Sequence, residues 1–301
     1  MGGIAIDASG NAYVAGFTSN AQNGFPTKNA LQTAYGGDPS DAFLMMIFPG
    51  GQGAADMIYA TLLGGSGLDE ALAVAVDNSI PANAYVTGTT QSANFPTNGT
   101  MAPYQSHLHV NATANAFLSV VAQNPATGMT SLAYSTYLGG SAMDAGQGVT
   151  ATAFNSVYIT GAAKSWDFPW HDNLQPFNGS SDGFIAKLDT SAAGTASLIY
   201  ATPLGGTAPP GLTVAASASA LVADRFGDVY VAGQTTAADF PTALTTAGVM
   251  NGFQPICASC QAYPAAADAF LMALQERAPA GGGRQRRGSC FDYFEASDHW
   301  A

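Results

Sequence analysis

The chain has 301 residues and carries 20 Asp and Glu against eight Lys and Arg, a formal net charge of −12. A nucleic-acid backbone or an anionic membrane surface needs a basic footprint, and this balance argues against both as partners. Apolar residues make up 47% and charged residues only 9%, so the chain can bury a large core and is not of the disordered class; Ser, Thr, Asn, Gln and Gly must keep it soluble.

In chain order, Ile4-Ala-Ile-Asp7 is a short apolar run ending in a turn, followed by Asn11-Ala-Tyr-Val-Ala-Gly16, a long loop, Asp41-Ala-Phe-Leu44, and Ile58-Tyr-Ala-Thr61 leading into Leu63-Gly-Gly. The same series returns at Ala73–Asp77, Asn83–Gly88, Asn115–Leu118 and Ala133–Thr136, then at Val149–Thr152, Ser156–Gly161, Asp182–Ile185 and Ile199–Thr202. It begins a fourth time at Ala220–Asp224, Asp228–Gly233 and Asp268–Leu271. The second-segment tyrosines, Tyr13, Tyr85, Tyr158 and Tyr230, fall 72, 73 and 72 residues apart. Such self-similarity marks an array of one supersecondary unit. Each segment is short, rich in β-branched and aromatic residues and bounded by Gly, Pro, Asn or Asp, which predicts strands, here A to D of each unit; no stretch sustains a helical period. Asp7, Asp77 and Asp224 end strand A, where a carboxylate accepts turn N–H groups.

The units run over about 2–68, 69–143, 144–209 and 210–276, within an array spanning 1–276. The fourth lacks the Tyr-Ala-Thr and Leu-Gly-Gly segment, so a missing fourth strand is expected there. From Arg277 the chain turns basic, then aromatic at Phe291–Glu295; residues 277–301 are expected to form a divergent tail, flexible or truncated.

With Ala5–Gly16, Phe-Pro-Thr at Phe25, Phe95 and Phe240, Asp-Ala-Phe at Asp41 and Asp268, and Tyr134-Ser-Thr-Tyr-Leu-Gly-Gly140 in fixed order, the chain resembles the bacterial SBBP-type β-propeller repeat family over about residues 2–275. That resemblance implies an all-β fold, one four-stranded antiparallel propeller blade per unit, and a protein exported or displayed at a bacterial cell surface; it implies no catalytic residues. No export signal opens this sequence, so an extracellular or cell-surface location places that signal outside it, and no run is long enough to span a bilayer. Four blades sit at the low end for a closed ring, so the array is expected to be part of a larger ring or a strained or open four-blade array. Uncovered blade faces would be apolar, and self-association of the isolated chain is expected.

In a meander the B–C loops and D–A links share a face, and the variable B–C loops are Gln22–Gly37, Ser92–Thr113, Trp166–Ser181 and Asp239–Ala267. Binding usually lives on such loops. Trp166, Asp167, Trp170, His171 and Asp172 form the densest aromatic and polar group, suited to stacking on a sugar and hydrogen-bonding its hydroxyls. Against this stands a packing role, with Phe168 in core and the tryptophans covering it. His107 and His109 are weak metal candidates that lack a third ligand. Asp69 and Asp144 are candidates for a structural Ca²⁺, the one cofactor left open, although Pro209-Pro210 breaks the pattern and turn capping competes. Cys257 and Cys260 are expected to form a local disulfide, with Cys290 left over. No catalytic triad, phosphate loop or carboxylate pair stands out. The expected function is a non-enzymatic binding or adhesion scaffold for protein or glycan through the B–C and D–A face. A polysaccharide-acting hydrolase or lyase, or a purely structural repeat fragment, are the alternatives.

Overall fold

Alternating apolar side chains need two covered faces, and the chain solves this by stacking sheets. The computed structural model describes residues 2–19, 24–37, 39–152, 155–207, 213–224, 227–240, 267–277 and 290–293. Apart from two short 3₁₀ turns at Gly53–Asp56 and Gly194–Ser197, all its regular elements are strands. They form four antiparallel sheets, each a simple up-and-down meander. The first holds β1 (Gly3–Ile6), β2 (Ala12–Thr18), β3 (Asp41–Ile47) and β4 (Met57–Leu63). The second holds β5 (Asp69–Val76), β6 (Ala84–Thr90), β7 (Asn115–Gln123) and β8 (Thr130–Leu138). The third holds β9 (Asp144–Ala151), β10 (Ser156–Ala163), β11 (Asp182–Asp189) and β12 (Leu198–Leu204). The fourth holds β13 (Ala216–Ala223), β14 (Val229–Thr235), β15 (Asp268–Arg277) and β16 (Cys290–Tyr293).

Two expectations are corrected. The fourth sheet does have a fourth strand: Cys290–Tyr293 pairs antiparallel with β15, Leu274 opposite Tyr293 and Arg277 opposite Cys290. This strand lies in the segment assigned to the tail. It carries none of the repeat's Tyr-Ala-Thr signature, and it needs none, because backbone pairing along an open edge asks only for an extended segment. The A strands of the second and third sheets also begin earlier than the alternation indicated, at Asp69 and Asp144. A register shift between Ala71 and Ala73, and another at Thr160/Gly161, interrupts the period of two and hides the first half of each strand.

The bulge explains one glycine in the B strand of the second, third and fourth sheets. A Cβ at Gly88 would lie 1.8 Å from the Glu70 carbonyl oxygen, and one at Gly161 would lie 1.9 Å from that of Ala145. Only glycine admits the turned-in carbonyl. The turn aspartates behave as predicted. Asp7 Oδ1 accepts the N–H groups of Ser9 (2.8 Å) and Asn11 (2.9 Å), while its Oδ2 takes the Tyr13 hydroxyl at 3.2 Å. Asp77 repeats this with Ser79, Asn83 and Tyr85.

Each sheet packs on the first strand of the next, so the core is three separate joints. Tyr13, Leu44, Met46 and Tyr59 meet Val74, Val86 and Phe117 at the first. Tyr85, Leu118 and Tyr134 meet Val149, Ile159 and Phe184 at the second, and Tyr158, Ile185 and Tyr200 meet Val231, Phe240 and Met272 at the third. No helix of the described residues is long and apolar enough to cross a membrane.

Candidate functional site on the loop face

The D–A links and B–C loops do share a face, and a repeated clasp ties them together. At the first joint the Asp69 Oδ2 accepts the Gly65 N–H and the Ser92 hydroxyl, both at 2.7 Å, while Thr90 donates to Oδ1. Ser92 Oγ in turn accepts the Gly67 N–H at 2.8 Å. At the second joint Asp144 Oδ2 accepts from Gly140 (2.8 Å) and Ser165 (2.7 Å), and Ser165 Oγ accepts from Ala142 at 2.8 Å. Two residues further along the loop, Asn94 accepts the Ser66 N–H, Asp167 the Ser141 N–H and Asp239 the Thr207 N–H, each at 2.8 Å. The next residue is Phe95, Phe168 or Phe240, buried against Phe117, Phe184 or Phe270 with ring centroids 4.6, 4.8 and 4.4 Å apart.

This clasp gives several predicted site residues structural work. Asp69 and Asp144 are buried strand-starting carboxylates, pushed up by burial against the bonds they accept. Asp167 also receives the Ser141 hydroxyl at 2.9 Å. Burial pushes its carboxyl up, but the Ser141 donors and the nearby His109 outweigh that and hold it below the ordinary range. Comparison of Ser92–Phe95 with Ser165–Phe168 carries this signal in the sequence itself. Phe168 is core.

One position in the clasp touches neither link nor core. It is Ala93 in the second unit and Ala238 in the fourth, both exposed; in the third unit it is Trp166, which is 75% exposed. Beside it, Trp170 is half-buried. Its ring lies 4.6 Å from Phe168 and stacks on Phe177 at 5.9 Å, while its indole N–H donates to the Trp166 carbonyl at 3.2 Å. Across the joint, His109 Nε2 stands 3.7 Å from Asp167 Oδ2. His171 is pinned through its backbone to Ala201, leaving its imidazole exposed 3.8 Å from Asp172, whose backbone is left-handed at φ 46°. The result is an open shelf: an indole face, an imidazole–carboxylate pair, and a second imidazole and carboxylate at the rim.

The two neighbouring histidines do not act together. His107 Nδ1 hydrogen-bonds the Ser106 hydroxyl at 2.7 Å, and His109 Nδ1 donates to the Val110 carbonyl at 2.8 Å. Among the described residues no three His, Cys, Asp or Glu side chains gather to hold a metal ion. Cys257 and Cys260 lie outside the described residues.

No protein-family model matches the chain, and no curated protein matches it either.

Sequence reading did not single out the start of strand C. Asp41 is fully buried; its Oδ2 accepts the Gly36 N–H at 2.7 Å and the Gln32 amide at 3.2 Å, while its Oδ1 has no hydrogen-bond partner. A Cβ at Gly64 would meet that Oδ1 at 2.7 Å and Asp69 Oδ2 at 2.9 Å, so two carboxylates face one another across a glycine. Burial pushes the Asp41 carboxyl up to about 6, with the Asp69 charge adding to it against the Gly36 and Gly37 donors. The second joint has Asn115 instead. Its Oδ1 accepts from Gln105 (3.1 Å) and the His109 N–H (2.9 Å), and its amide donates to the carbonyls of Gly140 (3.0 Å) and Ala114 (3.1 Å). Sheet three returns to an acid, Asp182, whose Oδ1 is again unpartnered and whose carboxyl is raised by burial.

Proposed function

We propose that the chain is a β-propeller-type array of SBBP-like blades, exported or held at a cell surface, that binds glycan through its loop face without catalysing a reaction. The observation that carries this is Trp166. The clasp needs only alanine there, as Ala93 and Ala238 demonstrate, and leaving a large indole in water is unfavourable unless something covers it. Beside it, His109, Asp167 and His171 offer the polar groups that orient sugar hydroxyls.

A polysaccharide hydrolase or lyase on this face would need an acid of raised pKa next to a second carboxylate at the sugar. The carboxyls raised by burial, Asp41, Asp69, Asp144 and Asp182, are closed off inside the joints, and Asp167 is held low. The binding reading therefore comes first.

The test is affinity electrophoresis and calorimetry against neutral glucan, xylan and mannan with the 301-residue chain and its Trp166→Ala variant. Loss of roughly tenfold or more in affinity, as expected for a stacking aromatic, with an unchanged melting temperature supports the reading. Binding that is unaltered in Trp166→Ala, or absent for every glycan, defeats it.

A further inference from the structure

The burial pattern of the end sheets is one-sided, and the two are one-sided in opposite senses. In the middle of the array both faces are covered: β6 and β7 are buried at nearly every position. In the first sheet, β2 buries Tyr13 and Ala15 but leaves Ala12 and Val14 partly open, and β3 buries Leu44 and Met46 but leaves Phe43 and Met45 partly open. In the fourth sheet the parity is reversed. Val229, Val231, Met272 and Leu274 are buried, and Tyr230 and Leu271 are exposed.

Because the units repeat, the cover each open face lacks can be read from within the chain. Ile4 of β1, 68% exposed, stands where the second and third sheets have the buried Val74 and Val149, which pack under the preceding sheet. Leu271, 77% exposed, stands where Leu44, Leu118 and Ile185 are fully buried under the following sheet, and Tyr230 stands where Tyr13, Tyr85 and Tyr158 are buried. The open face of the first sheet is thus the kind that takes the far face of a sheet like the fourth. That joint already occurs three times in the molecule. The centres of both faces are apolar: Ile4, Ile6, Val14, Phe43 and Met45 make the first, and Val222, Tyr230, Ala232, Leu271 and Ala273 the second, with Asp224 and Asp228 at the rim beside Tyr230. A repeat face that nothing packs on ordinarily carries polar capping residues, and the centres of these two faces are apolar.

We propose that a second copy of the chain covers them, seated head to tail so that the first sheet of one copy stacks on the fourth sheet of the other in the geometry of the internal joints. The contact is heterologous, joining two different faces. If the pair also makes the return contact, two copies close on themselves; otherwise the series extends. This inference is independent of the glycan-binding reading, since neither face includes the loop shelf.

The test is light scattering on the 301-residue chain over a concentration series, together with Ile4→Glu and Leu271→Glu. Both residues are exposed in the single chain, so circular dichroism should be unchanged, and melting should match that of the unsubstituted chain at a dilution where it is dissociated. The unsubstituted chain is expected at twice its mass or more, dissociating on dilution. Each variant alone should need roughly 100-fold higher concentration to associate, a charge having been placed in an apolar contact. An equimolar mixture should recover a pair and stop there, because one variant keeps a sound first face and the other a sound last face. A chain that stays monomeric, a pairing that Leu271→Glu leaves intact, or a mixture of folded variants that stays monomeric overturns the proposal.

Discussion

Replacing Asp41 by Asn should stabilise the protein at neutral pH and remove a pH dependence. The second joint already carries out this substitution: Gln32 and Gln105 make equivalent bonds, to Asp41 and to Asn115, and bond Gly64 and Gly139 in the same way. What differs is the remaining atom. Asn115 donates to the Gly140 and Ala114 carbonyls, whereas an ionised Asp41 keeps an unpartnered oxygen beside Gly64 with the Asp69 carboxylate close by. The folded carboxyl titrates at about 6 against 3.8 for the ordinary group. Between those values the folded chain holds a proton that the unfolded chain has released. Stability therefore falls as pH rises from about 4 to about 6 and stays reduced above that. The gap corresponds to on the order of 3 kcal/mol, and the new amide bonds add about 1 kcal/mol. Urea unfolding at pH 4.5, 5.5 and 7.5, at fixed protein concentration, measures the difference between the two chains. Asp41→Asn should be the more stable by roughly 2–4 kcal/mol at pH 7.5, with the advantage shrinking at pH 4.5. A variant less stable at pH 7.5, or a difference that does not change with pH, would refute the reasoning.

Two further predictions concern the repeat's own devices. Asp77→Ala removes the acceptor of the Ser79, Asn83 and Tyr85 donors and should cost about 2 kcal/mol at pH 7. The Asp77 carboxyl, although burial opposes it, is held below its ordinary value by the Ser79 and Asn83 bonds. Its contribution is thus present above pH 4 and lost as pH falls through its folded value, so the deficit of the variant should narrow in acid; a constant deficit in unfolding measurements would contradict this. Gly88→Ala drives a methyl into the Glu70 carbonyl and should cost roughly 3 kcal/mol, lowering the urea midpoint. A change under about 1 kcal/mol would show that the bulge can relax.

The four-strand unit was legible because its strands are short, each is bounded by turn residues, and the series repeats with little change in length. The shared face of loops and links followed from the parity of a meander alone. β16 was not legible, because Cys290–Tyr293 forms without any repeat motif. The early halves of β5 and β9 were concealed by bulges that break the alternation. Asp41 and Asp69 were each visible as residues, but their meeting across Gly64 depends on strands 28 residues apart in sequence. Asp167 was grouped with Trp166 because the two are adjacent at the turn between Ser165 and Phe168, but its bonds to Ser141 cross the joint and are not readable from adjacency. One serves the clasp and the other faces water.

The clasp separates two kinds of demand on the same loop. Its acid or amide and its phenylalanine hold each joint, with a serine added at the first two, and the side chain just before the acid or amide is excused from folding. Ala93, Trp166 and Ala238 recur at intervals of 73 and 72 residues, so the face bears a graduated row of sockets, one to each joint, that can be refilled independently. A ligand with its own repeat, such as a polymer, could be met by several sockets at once, and each added indole would raise avidity by local concentration without asking anything new of the fold.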